Sequence, residues 1–190
     1  MIDCFVGLGA NLGDRASALA KAVELLAHEE GFALRSVSRA WESEPVGPPQ
    51  PKYLNAVARV SSMLSARATM KRLHEMEEKL GRIRREKWGP REIDLDLLFY
   101  GETIAKGPLE LPHPRLHERS FVLGPLRELA PGFVHPISKH SINDLWNHLS
   151  PEVRAQAVPL GIIRRRLDGP QDDSLELPPE GAGADGASAA

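Results

Sequence analysis

The sequence is poor in several residue types, and each shortage excludes a class of protein. It has one cysteine, Cys4, so an internal disulfide and a cysteine-rich zinc site are both excluded. Aromatic residues make up only 5% of the 190 residues and the formal net charge is −2, which argues against a general nucleic-acid binder. No apolar run approaches the ~20 residues of a membrane span, and residues 1–3 do not begin a signal peptide. These absences predict a cytoplasmic protein.

The remaining composition predicts one folded domain followed by an extension. Hydrophobic residues make up 42% of the chain, which is enough for a core, and the length is typical of one domain. Residues 168–190 contain six acidic residues and neither lysine nor arginine. Because this segment has almost nothing to pack, we predict a domain over residues 1–165 and a disordered tail over 166–190. The tail would be a solubilising extension or a docking segment.

Hydrophobic periodicity gives the order of the elements. Asp14 and Ser65 are placed to cap two helices. Residues 34–42, 53–61 and 92–100 show strand patterns. With the first strand, at residues 2–8, the order β-α-β-β-α-β predicts an α+β fold. Its architecture would be a ferredoxin-like antiparallel sheet flanked by helices, in a single domain.

Glycines follow the first strand at a spacing that resembles a dinucleotide-binding turn. In G-x-G-x-x-G the third glycine would be residue 12, which is Leu12, so the spacing fails. The sequence has no P-loop motif either. We therefore predict that Gly7 and Gly9 form a tight turn between strand and helix.

A basic segment lies before the last predicted strand. Six cations and one acid stand between Lys79 and Arg91, and Gly89-Pro90 indicates a loop. Cations this close repel each other unless an anion lies among them. The segment is either a solvated surface loop or a phosphate-binding loop.

Two acidic residues follow at once. Because residues two apart in a strand point the same way, Asp94 and Asp96 share one face. The apolar residues of this strand would share the core face: Ile93, Leu95, Leu97 and Phe99. Paired carboxylates are unfavourable without a counter-ion, and carboxylates completed by phosphate oxygens and water are typical Mg²⁺ ligands. An exposed polar strand face is the alternative.

Two histidines four residues apart would suggest zinc if they lay on a helix. Pro112 and Pro114 flank His113 and exclude a helix between it and His117. A loop histidine beside phosphates is the better interpretation.

Four segments together carry a resemblance to a known family. They are GLGANLGD, SEPVGPPQPKYLNAVARV, LGRIRREKWGPREIDLDLLFYG and LPHPRLHERSFVLGPLRELAP. In this order they resemble the 6-hydroxymethyl-7,8-dihydropterin pyrophosphokinases of folate biosynthesis, over about residues 1–150. The resemblance implies transfer of the terminal pyrophosphoryl group of ATP to the pterin hydroxymethyl group, with release of AMP. ATP would be the co-substrate, two Mg²⁺ ions the cofactors, and a monomer the expected state.

The resemblance also implies a role for each matching residue. The implied catalytic residues are Arg82, Arg91, Asp94 and Asp96, of which the two aspartates would hold the metal ions. Pterin contacts are implied for Ser43, Val46, Tyr53, Asn55, Trp88 and Phe121. Nucleotide contacts are implied for Glu77, Arg84, Leu97, His113 and Arg119. The sequence departs from some members of the family at Arg85, Lys87 and Pro114, and its proline-rich loop is about one residue shorter.

Two other functions compete with this one. A nucleotidyltransferase also uses paired aspartates with metal ions, but a Gly-Ser turn is expected before the pair and Pro90-Arg91 stands there. An RNA-binding domain using the arginine loop would bind in a salt-sensitive way without metal.

Overall fold

The computed structural model of the protein describes residues 1–82 and 89–163. The strands are β1 (Ile2–Ala10), β2 (Phe32–Val37), β3 (Arg39–Ser43), β4 (Tyr53–Ser62), β5 (Asp94–Tyr100) and β6 (Ala157–Ile162). The helices are α1 (Arg15–His28), α2 (Ala66–Lys79), α3 (Ser120–Leu129), α4 (Ile142–His148) and α5 (Pro151–Arg154), with a short 3-10 helix at Leu116–Glu118. The described part of the chain contains no helix of the length and hydrophobicity that a membrane crossing requires. The predicted boundary at residue 165 and the tail lie outside the described residues and stay predictions.

The strands form one antiparallel sheet in the order β5-β1-β4-β3-β6, with β2 also paired to β4. Helices α1 and α2 cover one face, where Leu19, Leu26 and Leu73 are fully buried against the strands. Helices α3 and α4 cover part of the other face, where Leu123 and Ile142 are fully buried. The predicted α+β fold with a flanked antiparallel sheet is thus confirmed.

The two residues predicted to cap helices α1 and α2 do so. The Asp14 carboxylate accepts a hydrogen bond from the Ser17 N–H at 3.0 Å, and the Ser65 hydroxyl accepts one from the Ala68 N–H at 3.3 Å. Each cap satisfies an amide that has no partner within its helix. The predicted starts of both helices are correct.

The strand predicted at residues 34–42 is two strands, because Ser38 interrupts it. The Ser38 N–H donates to the Val57 carbonyl at 2.9 Å, and the Ser38 hydroxyl accepts from the Val57 N–H at 2.9 Å. A side chain therefore takes the place of a backbone acceptor, and the chain bends there. Neither β6 nor α5 was predicted, since their short patterns carry weak signals.

A bulge corrects the predicted faces of β5. Phe5 pairs with Phe99, but the next residue of β1, Val6, pairs with Leu97, so Leu98 is the extra residue. As a result Leu98 and Phe99 both pack on the α3 side. The prediction that Phe99 shares the core face of Leu97 is wrong.

Candidate active site

A cleft of about 240 Å³ lies on the α3 side of the sheet, and its floor is strand β1. Gly7 and Gly9 lie within β1 on this floor, so the prediction that they form a turn is wrong. The positive φ of the turn belongs to Gly13, at 60°. A β-carbon added at Gly9 would stand 3.4 Å from the Asn55 Oδ1 atom and 3.9 Å from the Tyr53 ring, at the wall of the cleft. The floor is therefore open because two alternate residues lack side chains.

The register places polar groups on both sides of this floor. Gly9 pairs with Asn55 of β4 on one side and with Asp94 of β5 on the other. Gly7 pairs with Asp96 on the β5 side. One wall is consequently acidic, and the opposite wall carries an amide.

The β4 wall presents a hydrogen-bond acceptor of fixed orientation. The Asn55 amide nitrogen donates to the Ser43 hydroxyl at 2.9 Å and to the Trp41 carbonyl at 3.4 Å. Within the described residues no hydrogen bond engages Oδ1, which faces the cleft beside Gly9. This wall therefore accepts a hydrogen bond from a ligand that carries an N–H group.

Asp94 on the β5 wall is held by two arginines. The Arg82 guanidinium bonds one carboxylate oxygen at 2.9 Å, and the Arg91 guanidinium bonds the other at 2.5 Å. Arg82 also forms a close ion pair with the buried carboxylate of Glu77 on α2. The Asp94 charge is thus compensated within the protein.

Asp96, by contrast, has no hydrogen bond or ion pair from any residue in the described ranges. Burial and the neighbouring charge of Asp94 raise the pKa of its carboxyl to about 6, against the effect of the nearby arginines. Within the described ranges no cation pairs directly with this carboxylate, and the residue lines the cleft.

His113 and Arg119 complete the charged end of the cleft. The Nδ1 atom of His113 accepts the Arg115 N–H at 3.3 Å, so the ring proton sits on Nε2. Burial and the charge of Arg119 lower the pKa of His113 to about 4, which keeps the ring neutral. The Nε atom of Arg119 is buried and has no hydrogen-bond partner within the described ranges. Both side chains are available to an anion.

The cleft brings together most of the residues implied by the resemblance. Those that line it are Ser43, Val46, Tyr53, Asn55, Arg91, Asp94, Asp96, His113, Arg119 and Phe121. Arg82 reaches it through Asp94. Arg84 and Trp88, with the rest of the arginine loop at residues 83–88, lie outside the described residues, so their roles stay predictions.

Two of the implied nucleotide contacts do not line the cleft. The Leu97 side chain is buried in the core beneath α2, on the opposite sheet face. The Glu77 carboxylate is 3% exposed and accepts the Leu95 N–H at 2.7 Å as well as bonding Arg82. The contact that the structure gives Glu77 is with Arg82, and the nucleotide contacts of both residues remain predictions.

Several parts of the site were not predicted from the sequence, among them the glycine floor, the lining residue Glu44 and the buried Asn11. Alternate glycines within a strand are a signal that could have shown the floor, because a strand facing a ligand often lacks side chains there. Asn11 follows the strand in a turn-like sequence, and its buried contacts depend on segments far along the chain.

The free carboxylate at Asp96 should lower the stability of the ligand-free protein at neutral pH. Since its folded pKa is raised to about 6, the folded state binds the proton more tightly than the unfolded state. The resulting penalty is present above pH 6 and disappears as the pH falls toward 4. We expect Asp96→Asn to raise the free energy of unfolding by about 2 to 3 kcal/mol at pH 7.5 and by almost nothing near pH 4. Urea unfolding in EDTA at both pH values measures this difference, and a gain independent of pH would contradict it.

The comparisons with known proteins agree on one family. Residues 5–131 match the family described as 7,8-dihydro-6-hydroxymethylpterin-pyrophosphokinase (HPPK). The 2-amino-4-hydroxy-6-hydroxymethyldihydropteridine pyrophosphokinase of Synechocystis sp. is 43% identical over 141 residues, which are 74% of this chain and 72% of that protein. The protein of the same name from Methylorubrum extorquens is 40% identical over 153 residues, 80% of this chain and 96% of that protein.

Solved structures show the same fold at low sequence identity. The wild-type HPPK-DHPS of Plasmodium falciparum matches with a TM-score of 0.64 and 12% identity, over 88% of this chain and 45% of that one. The same protein with pterin and p-hydroxybenzoate matches with a TM-score of 0.66 and 14% identity, over 85% of this chain and 45% of that one. This chain thus spans less than half of those fused proteins. The family match and the identities of about 40% establish that the chain belongs to the 6-hydroxymethyl-7,8-dihydropterin pyrophosphokinase family.

Proposed function

We propose that this protein transfers the pyrophosphoryl group of ATP to 6-hydroxymethyl-7,8-dihydropterin, releasing AMP, as a step of folate biosynthesis. The observation that carries the proposal is the cleft itself. Among the described residues it joins a carboxylate with no direct ion pair, a group of arginines and an outward-facing amide above an open glycine floor. A phosphate chain and a flat heterocycle with N–H groups are the two ligands that such walls would bind together.

Magnesium fits the charged wall. The described residues contain no cluster of three or more His, Cys, Asp or Glu side chains that could hold a metal ion. Mg²⁺ in nucleotide sites needs only one or two carboxylates, with phosphate oxygens and water as the other ligands. No side chain in residues 1–82 or 89–163 bonds the Asp96 oxygens, so they could serve this purpose, and Asp94 stands beside Asp96 on the same wall. When bound, the metal would neutralise the phosphate charge during transfer.

The β4 wall, together with Phe121, would orient the pterin. Tyr53 and Phe121 both line the cleft and would stack on a flat ring, an arrangement that offset aromatic contacts favour. Asn55 Oδ1 would accept an N–H of the ring, because its own nitrogen is already engaged by Ser43. This recognition would hold the hydroxymethyl group toward the β5 wall.

The charged wall would hold the triphosphate by neutral and cationic donors. The neutral His113 ring would donate a hydrogen bond from its Nε2–H group. This contact would therefore not weaken as the pH rises from 6 to 8. Arg119, which lines the cleft, would supply the charge of its guanidinium, and Arg91 and Arg82 would stabilise the charge that develops during transfer. A cytoplasmic location and a monomeric state are parts of the same proposal.

The proposal is tested by measuring AMP produced from MgATP with and without 6-hydroxymethyl-7,8-dihydropterin. We expect AMP formation that requires both substrates and stops in EDTA. AMP formed equally well without the pterin, or no AMP under any condition, would contradict the proposal.

Gly9 should limit how close the pterin can approach the sheet. A methyl group at this position meets only ordinary contacts, at 3.4 and 3.9 Å, so Gly9→Ala should fold, but it would fill space between Asn55 and the ligand. We expect the KM for the pterin to rise by roughly 10- to 100-fold, with the KM for ATP within about threefold of wild type. Steady-state kinetics with each substrate varied measures both. Gly132→Ala, which adds a methyl group in open space, is the matched control. An unchanged KM for the pterin would show that Gly9 does not contact it.

A further inference from the structure

Asn11 is an almost fully buried polar side chain at the end of β1, with 2% of its surface exposed. Its side chain makes three hydrogen bonds to two distant segments. The amide nitrogen donates to Gln50 Oε1 at 3.0 Å and to the Pro51 carbonyl at 3.1 Å. The amide oxygen accepts the backbone N–H of Arg91 at 2.8 Å. One side chain therefore joins the proline-rich loop to the residue that precedes the acidic strand.

The Arg91 side of this junction is fixed twice. Besides the side-chain bond, the Asn11 backbone N–H donates to the Arg91 carbonyl at 3.1 Å. Together these two bonds hold both polar groups of the Arg91 backbone, from which its guanidinium reaches Asp94 at 2.5 Å. The position of the Arg91 charge at the cleft thus depends on Asn11.

The contact between Asn11 and Gln50 connects Asn11 to the β4 wall of the cleft. Gln50 Oε1, which accepts from Asn11, also lies 3.5 Å from the Tyr53 hydroxyl, at the limit of a hydrogen bond. Tyr53 lines the cleft at its pterin end. A chain of polar contacts therefore runs from Tyr53 through Gln50, Asn11 and Arg91 to Asp94.

We propose that Asn11 is a positioning residue that couples the β4 wall of the cleft, where the pterin would bind, to the β5 wall, where the phosphates would bind. This inference rests on the proposed function. Asn11 does not line the cleft; it fixes Arg91 for the transfer and fixes the loop before Tyr53 for pterin binding. Both amide atoms are needed, because the oxygen serves one wall and the nitrogen the other. No residue with only a donor or only an acceptor can serve both.

Because the amide oxygen and the amide nitrogen of Asn11 bond different segments, two variants should show different changes in kcat and KM. Asn11→Ala removes both links, so we expect kcat to fall by roughly 10²-fold, the size that small misplacement of a reacting group causes. We also expect its KM for the pterin to rise by roughly tenfold. Gln50→Ala removes the Gln50 contacts and leaves the Asn11 bonds to Pro51 and Arg91 in place, so its KM for the pterin should rise by a similar factor, with kcat within about threefold of wild type. Asn143→Ala, which removes the exposed bond between Asn143 and Arg127, is the matched truncation away from the cleft.

The experiment measures kcat and both KM values for the four proteins, with near-ultraviolet circular dichroism to establish that each is folded at the assay temperature. A merely structural role for Asn11 would lower the melting temperature while leaving kcat per folded molecule unchanged, and that result would overturn the inference. So would identical kinetic changes in Asn11→Ala and Gln50→Ala. Wild-type protein that forms no AMP would instead overturn the proposed function, together with the inference that rests on it.

Discussion

Replacing either aspartate of β5 by alanine should abolish most of the transfer and leave the fold intact. Asp94 and Asp96 face the cleft and lie outside both hydrophobic clusters, so replacing either one leaves the core packing of β5 unchanged. Loss of electrostatic support at a reacting phosphate costs on the order of 10² to 10³ in rate, or more. We expect AMP formation by Asp94→Ala and Asp96→Ala to fall at least this far at saturating Mg²⁺ and substrates.

Asp3→Ala is the control for this pair of variants. Asp3 lies on β1 of the same sheet and bonds Arg59 and Ser61 rather than a cleft residue. Asp3→Ala removes a carboxylate, as the two cleft variants do, and we expect it to keep wild-type turnover. Near-normal turnover by Asp96→Ala would show that the unpaired carboxylate does not hold the metal.

Arg82→Ala should slow the chemical step much more than it weakens ATP binding. Arg82 lies between the buried Glu77 carboxylate and Asp94, so it is held in place before any substrate arrives. A preorganised cation of this kind acts most strongly on charge that develops in the transition state. Ground-state ATP would still contact the remaining cations and His113. We expect a loss on the order of 10²-fold in the single-turnover rate, with the dissociation constant for MgATP changed by less than about fivefold.

Rapid-quench measurement of AMP and equilibrium binding of MgATP without pterin separate the two effects. Removing Arg82 leaves Glu77 without its ion-pair partner. Because burial already raises the pKa of that carboxyl, we expect the variant to take up a proton there and to stay folded. Arg72→Ala removes an arginine of α2 that pairs with Glu75 on α2 and with Glu29 at the end of α1, and it is the matched control. An equal loss in binding and in rate would contradict the predicted role of Arg82.

Local patterns in the sequence predicted the sheet, its capped helices and the paired aspartates, whereas most other residues of the cleft were implied by the family resemblance. Caps at Asp14 and Ser65 act within three residues, and alternation on β4 places Tyr53 and Asn55 on one face. The paired aspartates also follow from the period of a strand. Patterns of this kind involve residues that are close in sequence, so they can be recognised without knowledge of the fold.

The remaining features depend on pairing between distant segments. The bulge at Leu98 arises from the register with β1, and it moves Phe99 to the other face. Alternate glycines in a strand indicate an open surface, but the groups on either side of Gly7 and Gly9 are known only when β4 and β5 are placed beside them. Asn11 is similar, since its partners lie 39 to 80 residues away. No local pattern encodes such contacts.

Phosphorus NMR of a complete reaction tests the central claim most directly, because it identifies which bond of ATP is broken and where the phosphorus goes. Wild-type protein, MgATP and 6-hydroxymethyl-7,8-dihydropterin should give AMP and two coupled signals of a diphosphate attached to the pterin, in equal amounts. Free pyrophosphate with a nucleotidylated pterin would indicate a nucleotidyltransferase. ADP, or orthophosphate alone, would also contradict pyrophosphoryl transfer in this cleft.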